Sequence, residues 1–210
     1  MKGRSVLITS GPTREFLDPI RFLTNASSGR MGFALAKAAR ALGARVTVVS
    51  GPTDFPAPAG VKVIRVETGL EMLAATLKAA QRADLVIGAA AVSDWRFAAR
   101  ASRKIKRKPG ALRLTLLPNP DIIKEVAARR RRGQFVVGFA LETHERLKHA
   151  RLKLAAKGLD AVVANAAGTL SSKSIQATVL YKDGSVEFFK PASKESTSRK
   201  LLKSLQRRLG

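Results

Sequence analysis

The sequence predicts an α/β fold: a Rossmann-like, mostly parallel sheet with helices on both faces and an antiparallel β-hairpin near the C-terminus. Short apolar, β-branched runs alternate along the chain with longer segments whose apolar residues recur at helical spacing. Such alternation is typical of parallel sheets covered by helices. Near the C-terminus, Asp183–Gly184 interrupts a strand-like run from Val179 to Phe188, and this pair favours a tight hairpin turn.

The first half of the chain supplies strands and helices in turn. The predicted strands are Ser5–Thr9, Val46–Val49, Val61–Val66 and Leu85–Gly88. A first helix is predicted from Met31 to Leu42, because Gly43 follows it as a stop signal. A second helix is predicted to run to about Arg82, since Thr68 and Glu71 have the spacing of a capping box.

The second half continues the same pattern. The predicted strands are Leu112–Leu116, Phe135–Phe139 and Ala161–Ala164. One helix is predicted to begin at Pro120–Asp121, with the proline in its first turn. Two further helices are predicted from Glu142 to Lys157 and from Ser196 to Leu209. The chain has no internal repeat and no low-complexity linker. We therefore predict a single domain over residues 1–210.

Composition excludes several classes of protein. Hydrophobic residues make up 45% of the 210 positions, which is enough for a full core. There is no cysteine, so a disulfide scaffold, a cysteine–zinc site, an iron–sulfur cluster and a thiol nucleophile are excluded. No apolar run approaches the length of a membrane span, and the N-terminus does not resemble a signal peptide. We expect a cytoplasmic protein without membrane contact.

The net charge of +24 is the outlying value. It indicates a polyanionic partner or anionic small substrates. Two dense clusters contribute, one of six basic residues between Arg100 and Lys108 and the other the run Arg129–Arg132. The arginine run is equally well explained as solvated surface.

The long connection between the first strand and the first helix predicts a phosphate site. In a doubly wound sheet, ligands bind outside the carboxyl ends of the strands. Before the helix, Ser27, Ser28, Gly29 and Gly32 offer hydroxyl groups and accessible backbone N–H groups, and Arg30 adds charge. The alternative is an ordinary serine N-cap with a packing glycine.

A nicotinamide site is not favoured. The dinucleotide fingerprint needs its glycines directly between the first strand and helix, whereas roughly twenty residues intervene here. The ribose-binding acid expected at the end of the second strand is replaced by Ser50. The P-loop pattern is also absent.

Seven motifs in fixed order carry a family resemblance. They are Ser10-Gly11-Pro12-Thr13-Arg14-Glu15, Asp18-Pro19-Ile20-Arg21-Phe22, Asn25 with Ser27-Ser28-Gly29-Arg30-Met31-Gly32, Ala89-Ala90-Ala91-Val92-Ser93-Asp94-Trp95-Arg96, Lys104-Ile105-Lys106, Asn119-Pro120-Asp121-Ile122 and Val137-Gly138-Phe139-Ala140-Leu141-Glu142-Thr143. From about Leu7 to Leu205, the chain resembles the phosphopantothenoylcysteine synthetases, the phosphopantothenate–cysteine ligases of coenzyme A biosynthesis. It is similar to a stand-alone form without the flavin decarboxylase domain.

The resemblance implies a reaction in two steps. The carboxylate of 4'-phosphopantothenate attacks the α-phosphate of a nucleoside triphosphate, CTP in most bacterial members, and pyrophosphate leaves. The amine of cysteine then attacks the acyl-cytidylate, giving the amide and CMP. Mg²⁺ is implied as the cation that accompanies the triphosphate.

The resemblance also assigns nucleotide-binding residues. It implies a triphosphate cradle made by Gly11, Ser27, Gly29 and Gly32, and it implies that Lys104 engages the α-phosphate. It further implies a loop that recognises base and ribose, made by Asn119, Pro120, Asp121 and Ile122, with Phe139 near the base. Lys153 and Lys157 are implied as two phosphate-facing lysines. Taken alone, Lys104, Lys153 and Lys157 would be solvated lysines and Phe139 a core residue.

The remaining assignments concern the substrate and a partner subunit. Asn25 resembles the residue that holds the substrate carboxylate and the developing acyl phosphate. Ala90, Ala91 and Asp94 resemble contacts to the pantothenate arm or to the nucleotide, although the two alanines could simply pack closely. Arg21 resembles an arginine passed across a twofold interface, which implies a homodimer with shared active sites.

Two rival functions remain open. A nucleic-acid-binding protein would account for the charge, although only 5% of the residues are aromatic. Such a protein should place its basic residues on one solvent face, whereas a ligase should bring Lys104, Lys153 and Lys157 to the strand ends. A nucleotide-sugar or nicotinamide enzyme on a similar sheet would lack the ribose-binding acid.

Overall fold

The computed structural model describes residues 1–107, 109–142, 146–166 and 174–209. Along the chain its elements are β1 (Ser5–Ser10), β2 (Arg14–Phe16), β3 (Phe22–Thr24), α1 (Arg30–Ala41), β4 (Arg45–Ser50), β5 (Lys62–Arg65), α2 (Gly69–Ala80), β6 (Leu85–Gly88), β7 (Trp95–Phe97), β8 (Leu116–Pro118), α3 (Ile122–Ala128), β9 (Phe135–Glu142), α4 (Arg146–Ala156), β10 (Ala161–Ala166), β11 (Ser174–Tyr181), β12 (Val186–Ser193) and α5 (Lys194–Gln206).

Within these residues the main sheet has the strand order β12-β11-β10-β9-β6-β1-β4-β5. The six strands from β10 to β5 in that order pair in parallel, and β11 and β12 add an antiparallel hairpin at the β10 edge. The chain starts in the middle at β1, moves outward through β4 to β5, and then crosses over to β6. This reversal beside β1 is the topological switch point of a doubly wound sheet. The predicted fold class is confirmed.

The hydrophobic core lies in two layers, one on each face of the sheet. One layer packs α1 and α5 against the sheet and includes Leu35 and Leu201. The other packs α2, α3 and α4 and includes Met72 and Val126. Leu7 and Ile8 of β1 are buried on opposite faces, which explains why the central strands are apolar throughout.

Helix ends follow the predicted signals at most positions. Thr68 and Glu71 form the predicted capping box: Thr68 Oγ1 accepts from the Glu71 N–H, and the Glu71 carboxylate accepts from the Thr68 N–H. Gly43 and Gly158 follow α1 and α4 with positive φ angles of 84° and 62°. The hairpin turn is also confirmed, because Gly184, with a φ of 87°, lies between β11 and β12.

Several predicted elements in the second half have other bounds in the structure. The run Leu112–Leu116 is not a strand of the main sheet: only Leu116 is in a strand, and β8 pairs with β7 in a separate ribbon. The alternation of leucine with polar residues leaves Leu112 60% exposed, so no core holds this segment in the sheet. Pro120 precedes the N-cap residue Asp121 instead of entering the first turn of α3.

The helix predicted from Glu142 begins at Arg146, because β9 continues to Glu142 and pairs with β10 from Val137 to Glu142. Residues 143–145 of that prediction lie outside the described residues, as do Lys108 of the basic cluster and Gly210. The last helix begins at Lys194, two positions before the predicted start, and ends at Gln206 instead of Leu209. Its N-cap is Ser193, whose hydroxyl accepts from the Ser196 N–H at 3.1 Å.

The arginine run has a structural role at the amino edge of the sheet. Arg130 and Arg131 form ion pairs of 2.8 Å and 2.6 Å with Asp160 and Asp84, the residues close before β10 and β6. The same two carboxylates accept from the backbone N–H groups of Val136 and Ser5, in β9 and β1. These arginines therefore help to fix the strand starts.

No helix among the described residues is long and apolar enough to cross a membrane.

Candidate active site

The loops that follow β1 and β4 meet through glycine backbones at the carboxyl edge of the sheet. A Cβ atom on Gly51 would lie 1.8 Å from the carbonyl oxygen of Pro12, and one on Gly11 would lie 3.0 Å from that of Gly51. A Cβ on Gly29, just before α1, would lie 3.2 Å from Gly11 Cα. Side chains at these positions would separate the loops, so the glycines let three backbones converge beside the switch point.

Gly32 sets the distance between α1 and the sheet. A Cβ atom at this position would lie only 2.3 Å from Ser10 Oγ, at the end of β1. Ser10 Oγ in turn donates to the carbonyl oxygen of Gly29 at 3.0 Å. The absence of a side chain at residue 32 therefore allows the start of the helix to lie directly against the end of the central strand.

The start of α1 opens into a cavity of about 140 Å³. Its lining includes Ser27, Gly29 and Gly32, which the sequence predicts as a phosphate cradle. The alternative of a serine at the N-cap position is wrong, because the N-cap is Gly29 in the left-handed conformation. The Ser28 hydroxyl accepts from the Arg30 N–H at 3.5 Å. Backbone N–H groups of the first turn and the positive end of the helix dipole therefore face this region.

Gly11, the fourth residue of the predicted cradle, does not line this cavity. Its φ of 77° and its contact with Gly29 give it a packing role behind the helix start.

Lys194, which sequence reasoning missed, lines the same cavity. Lys194 is the first residue of α5, and only 3% of its surface is exposed. Burial lowers the pKa of this lysine, and the positive charge of Arg30 lowers it further, with Glu195 opposing both. The signal in the sequence was a lysine directly after Ser193, but it was not noticed because the helix was predicted to start at Ser196.

The charges around this cavity favour an anionic ligand. Arg30 and Lys194 line it together with the start of α1, and none of the described residues in its lining is acidic. Bringing two cations and a helix N-terminus together raises the free energy of the unliganded protein. A phosphate group placed among them would reverse the sign of that interaction.

A second cavity of about 330 Å³ adjoins the first. The two share Ala90, Ala91 and Phe139 in their linings, so they form one continuous cleft along the carboxyl edge. The structure here brings together most of the predicted nucleotide- and substrate-binding residues. Those that line the second cavity are Asn25, Ala90, Ala91, Asp94, Asn119, Pro120, Asp121, Ile122, Phe139, Lys153 and Lys157.

Hydrogen bonds fix the wall that carries Asn119. Its side-chain Nδ2 donates to the Ser93 carbonyl at 2.9 Å, and its backbone N–H donates to the Asp94 carbonyl at 2.8 Å. The loop after β6 and the start of α3 are therefore held together. Close by, Lys157 Nζ forms an ion pair of 2.7 Å with Asp121, whose carboxylate also accepts from the Lys124 N–H at the start of α3.

Asn25 is bound to the same loop after β6 through its amide. Nδ2 donates to the carbonyl oxygens of Ala91 at 3.2 Å and Val92 at 3.0 Å. Because both neighbours are acceptors, the NH₂ group must face them, and Oδ1 is the atom left for a ligand. The structure thus confirms that Asn25 lies in the cleft, with its donors used within the chain.

Like Gly11, the predicted residues Lys104 and Arg21 line neither cavity. Lys104 is exposed in the segment between β7 and β8. The next residue, Ile105, is bound to the loop between β2 and β3, where the Arg21 guanidinium donates to its carbonyl oxygen at 3.3 Å. Arg21 also forms an ion pair of 3.1 Å with Asp18, so within one chain it is engaged by its own neighbours.

Fold and cleft together define a class: an open, doubly wound α/β domain whose switch point carries a helix start beside two cationic side chains. Within that class, the chain belongs to the family described as the DNA/pantothenate metabolism flavoprotein C-terminal domain, which matches residues 1–209.

Known relatives agree with this assignment. The chain is 48% identical over 188 residues to the coenzyme A biosynthesis bifunctional protein CoaBC of Vibrio cholerae, an alignment that covers 87% of this chain and 47% of that protein. The chain thus spans about half the length of the curated relative it matches. The family resemblance predicted from the seven motifs is confirmed.

Solved structures have the same fold. The crystal structure of the C-terminal domain of CoaBC superposes with a TM-score of 0.86 at 36% identity, covering 100% of this chain and 97% of that one. A mutant of Cab2 in complex with phosphopantothenate-cysteine superposes with a TM-score of 0.80 at 20% identity, covering 98% and 86%. At that lower identity the likeness shows a shared fold.

The substitution Lys194→Gln tests the cationic cavity. Removing the buried charge should weaken binding of inorganic pyrophosphate about tenfold or more, since a charged hydrogen bond contributes about 1.5–3 kcal/mol. Calorimetric titration measures the binding. Lys200→Gln, at an exposed position of the same helix, is the matched control and should bind as the wild type does. Equal affinity of the Lys194 and Lys200 variants would remove Lys194 from the site.

Proposed function

We propose that this chain joins 4'-phosphopantothenate to cysteine, using CTP to activate the carboxylate. The observation that carries the proposal is the continuous cleft at the carboxyl edge, with a cationic cavity at one end and the predicted nucleotide residues at the other. Membership of a pantothenate-metabolism family and the likeness to CoaBC support it. The Cab2 complex with phosphopantothenate-cysteine supports the choice of product.

The cleft suggests a placement for each reactant. The β- and γ-phosphates lie in the cationic cavity, among Ser27, Gly29, Arg30 and Lys194. The base and ribose lie along Asn119–Ile122 and Phe139, with Asp94 beside them. The shared wall at Ala90 and Ala91 is where the α-phosphate meets the substrate carboxylate, because small side chains there let both reach the backbone.

The chemistry needs fixed donors and cations instead of a nucleophilic side chain. In the first step a carboxylate oxygen bonds to the α-phosphorus while the bond to pyrophosphate breaks. In the second step the cysteine nitrogen bonds to the acyl carbon, CMP leaves and the amine loses a proton. Negative charge develops on oxygen in both steps, so Lys104 and the backbone N–H groups at the start of α1 stabilise the transition states electrostatically.

Asn25 holds the substrate carboxylate beside the shared wall. Its two N–H groups are bound to the carbonyls of Ala91 and Val92 in the free protein. For this role one N–H must exchange a backbone carbonyl for a substrate oxygen. An amide suits the exchange because it donates without adding a charge that would weaken the nucleophile.

We propose that Mg²⁺ enters with the nucleotide, as part of the Mg–triphosphate substrate. Among the described residues, no group of three acidic or histidine side chains is arranged to hold a metal ion. Phosphate oxygens and water are the ligands Mg²⁺ prefers in nucleotide sites. No step of the mechanism is assigned to a protein-bound metal.

Nucleic-acid binding is the less favoured alternative. Lys153 and Lys157 line the second cavity, as expected for a ligase, whereas Lys104, the third lysine of that expectation, lines neither cavity. The arginine run is largely neutralised, since Arg129, Arg130 and Arg131 each pair with a carboxylate of the chain. Any affinity for nucleic acid is therefore proposed to be non-specific.

A product analysis tests the reaction. We expect CMP and pyrophosphate when the protein is incubated with phosphopantothenate, cysteine, Mg²⁺ and CTP, and less product with ATP, GTP or UTP. Chromatography of the nucleotides, with mass spectrometry of the acyl product, measures this. Omission of cysteine is the control and should stop the reaction after acyl-cytidylate formation. Release of CDP and orthophosphate would contradict the proposed route, because it indicates an acyl phosphate.

The substitution Lys104→Gln separates a catalytic lysine from a surface lysine. Loss of a charge that stabilises the α-phosphate should lower turnover about 10²–10³-fold, as for removal of one oxyanion donor. A surface lysine would leave rate and stability within about 0.5 kcal/mol. Pyrophosphate release and a thermal melt of the same preparation measure both. Lys106→Gln, equally exposed in the same segment, is the matched control, and turnover near the wild-type value in both variants would contradict the assignment.

We propose that the active unit is a homodimer with shared sites, and that residues 1–210 form one domain. The first proposal rests on the resemblance of Arg21 to an interface arginine. The second is supported by the cleft, whose walls draw on segments from the end of β1 to the start of α5.

Mixed dimers test the shared site. If Arg21 serves the partner's site, a dimer of one Arg21→Ala chain and one Lys104→Gln chain contains one intact site and should recover up to half of the wild-type activity per dimer. Activity after subunit exchange, followed with differently tagged chains, measures this. No recovery despite demonstrated exchange would place Arg21 in the site of its own chain, where it contacts Asp18 and Ile105.

A further inference from the structure

Asp18 is a fully buried carboxylate outside both cavities. It lies in the loop between β2 and β3, and its side chain has no exposed surface. One oxygen, Oδ1, accepts from the backbone N–H groups of Ile20 and Arg21, each at 2.9 Å. The other, Oδ2, accepts from the Arg21 guanidinium and from the backbone N–H of Ile105, each at 3.1 Å.

The contact with Ile105 joins two distant parts of the chain. Asp18 binds the Ile105 N–H and Arg21 binds the Ile105 carbonyl, so both polar groups of this residue are held. The same loop makes a second link, because the Ala101 N–H donates to the Leu17 carbonyl at 2.9 Å. A third link is the Arg100 guanidinium, which lies 4.5 Å from the centre of the Phe16 ring.

The carboxylate is held in its charged form. Burial raises the pKa of Asp18, but hydrogen bonds from the N–H groups of Ile20, Ile105 and Arg21, together with the charge of Arg21, lower it below its ordinary value. A charged acceptor makes stronger hydrogen bonds than a neutral one. Asp18 is therefore a strong anchor for the Ile105 N–H.

The anchored segment is mostly exposed. Arg103, Lys104, Lys106 and Arg107 are exposed and carry like charges, and Ile105 is half-buried. An exposed stretch with repelling side chains opens at low cost in free energy. The bonds to Ile105 are the contacts named above that fall within residues 103–107.

We propose that Asp18 is a positioning residue that acts through Lys104. By fixing the Ile105 N–H, it sets the position of the preceding residue, Lys104, which is proposed to engage the α-phosphate. β3 joins the anchor to Asn25 in the wall of the second cavity. This inference rests on the proposed ligase function and on the role of Lys104 in it. No contact of Asp18 with substrate is required.

A double-mutant cycle tests the inference. Asp18→Asn replaces one acceptor oxygen by a donor and removes the charge. Turnover should therefore fall about 10²-fold, which is the cost of a misplaced catalytic group. The KM for CTP should change less than the turnover. The double variant Asp18→Asn/Lys104→Gln should be no slower than Lys104→Gln alone, because both changes disable the same group. Multiplying losses would overturn the proposal. Asp54→Asn, an exposed carboxylate in another loop, is the control and should keep wild-type turnover.

Limited trypsin digestion gives a readout without activity. Asp18→Asn should speed cleavage after Arg103, Lys104 and Lys106, while cleavage elsewhere and the thermal midpoint change little. Equal cleavage in wild type and variant would overturn the anchoring. A wild-type chain that forms no product would instead defeat the proposed function, and the cleavage test can still be carried out on that chain. If Asp18→Asn does not fold, Ile105→Pro removes the N–H donor from the other side and should give the same turnover and the same faster cleavage after Arg103 and Lys106. Cleavage after Lys104 is left out of that comparison, because trypsin does not cut before the introduced proline.

Discussion

Close contact between backbones at the carboxyl edge of the sheet is the constraint on which the rest of the structure depends. Gly32 lets α1 lie against Ser10, and Gly51 lets the loop after β4 lie against Pro12. Any side chain at these positions would push the helix start away from the sheet. The cationic cavity exists because α1 begins at this short distance from the end of β1, so that its first turn faces the cavity.

Charge is distributed differently at the two edges of the sheet. At the amino edge, Arg130 and Arg131 are paired with carboxylates that also bind backbone N–H groups, so the charge there stabilises the strand starts. At the carboxyl edge, Arg30 and Lys194 line a cavity without an acidic residue in the described part of its lining. A high net charge in this protein thus combines a structural and a ligand-binding component, which the total of +24 alone does not separate.

Local sequence patterns predicted the fold well where the structure of a segment depends on residues within that segment. The apolar run Val6–Ile8, the capping box at Thr68 and the turn at Asp183–Gly184 are all confirmed, because periodicity and turn chemistry act over a few residues. The leucines from 112 to 116 misled the prediction, since strand propensity without a core to cover them does not place a segment in the sheet.

The family motifs predicted most of the residues that line the cleft. They did not predict Lys194 or the contacts of Asp18. Eleven predicted residues line the second cavity, among them Asn25 and Lys157, because order along the chain carries information that spacing alone does not. Lys194 was missed because its burial depends on the packing of α5 beside α1, at the other end of the sequence. The partners of Asp18 were missed for the same reason, since its contact with Ile105 spans 87 positions.

The placement of Lys194 also connects nucleotide binding to the resistance of the protein to heat. The cationic cavity takes one wall from α1, the first helix, and another from α5, the last. Without an anion, the repulsion between Arg30 and Lys194 works against the docking of these two helices. A ligand that binds only the folded chain adds about 2.7 kcal/mol to the free energy of unfolding at a hundred times its Kd. In the proposed function, a phosphate group bound in the cavity would link the first and last helices, and the melting temperature would rise with the nucleotide concentration.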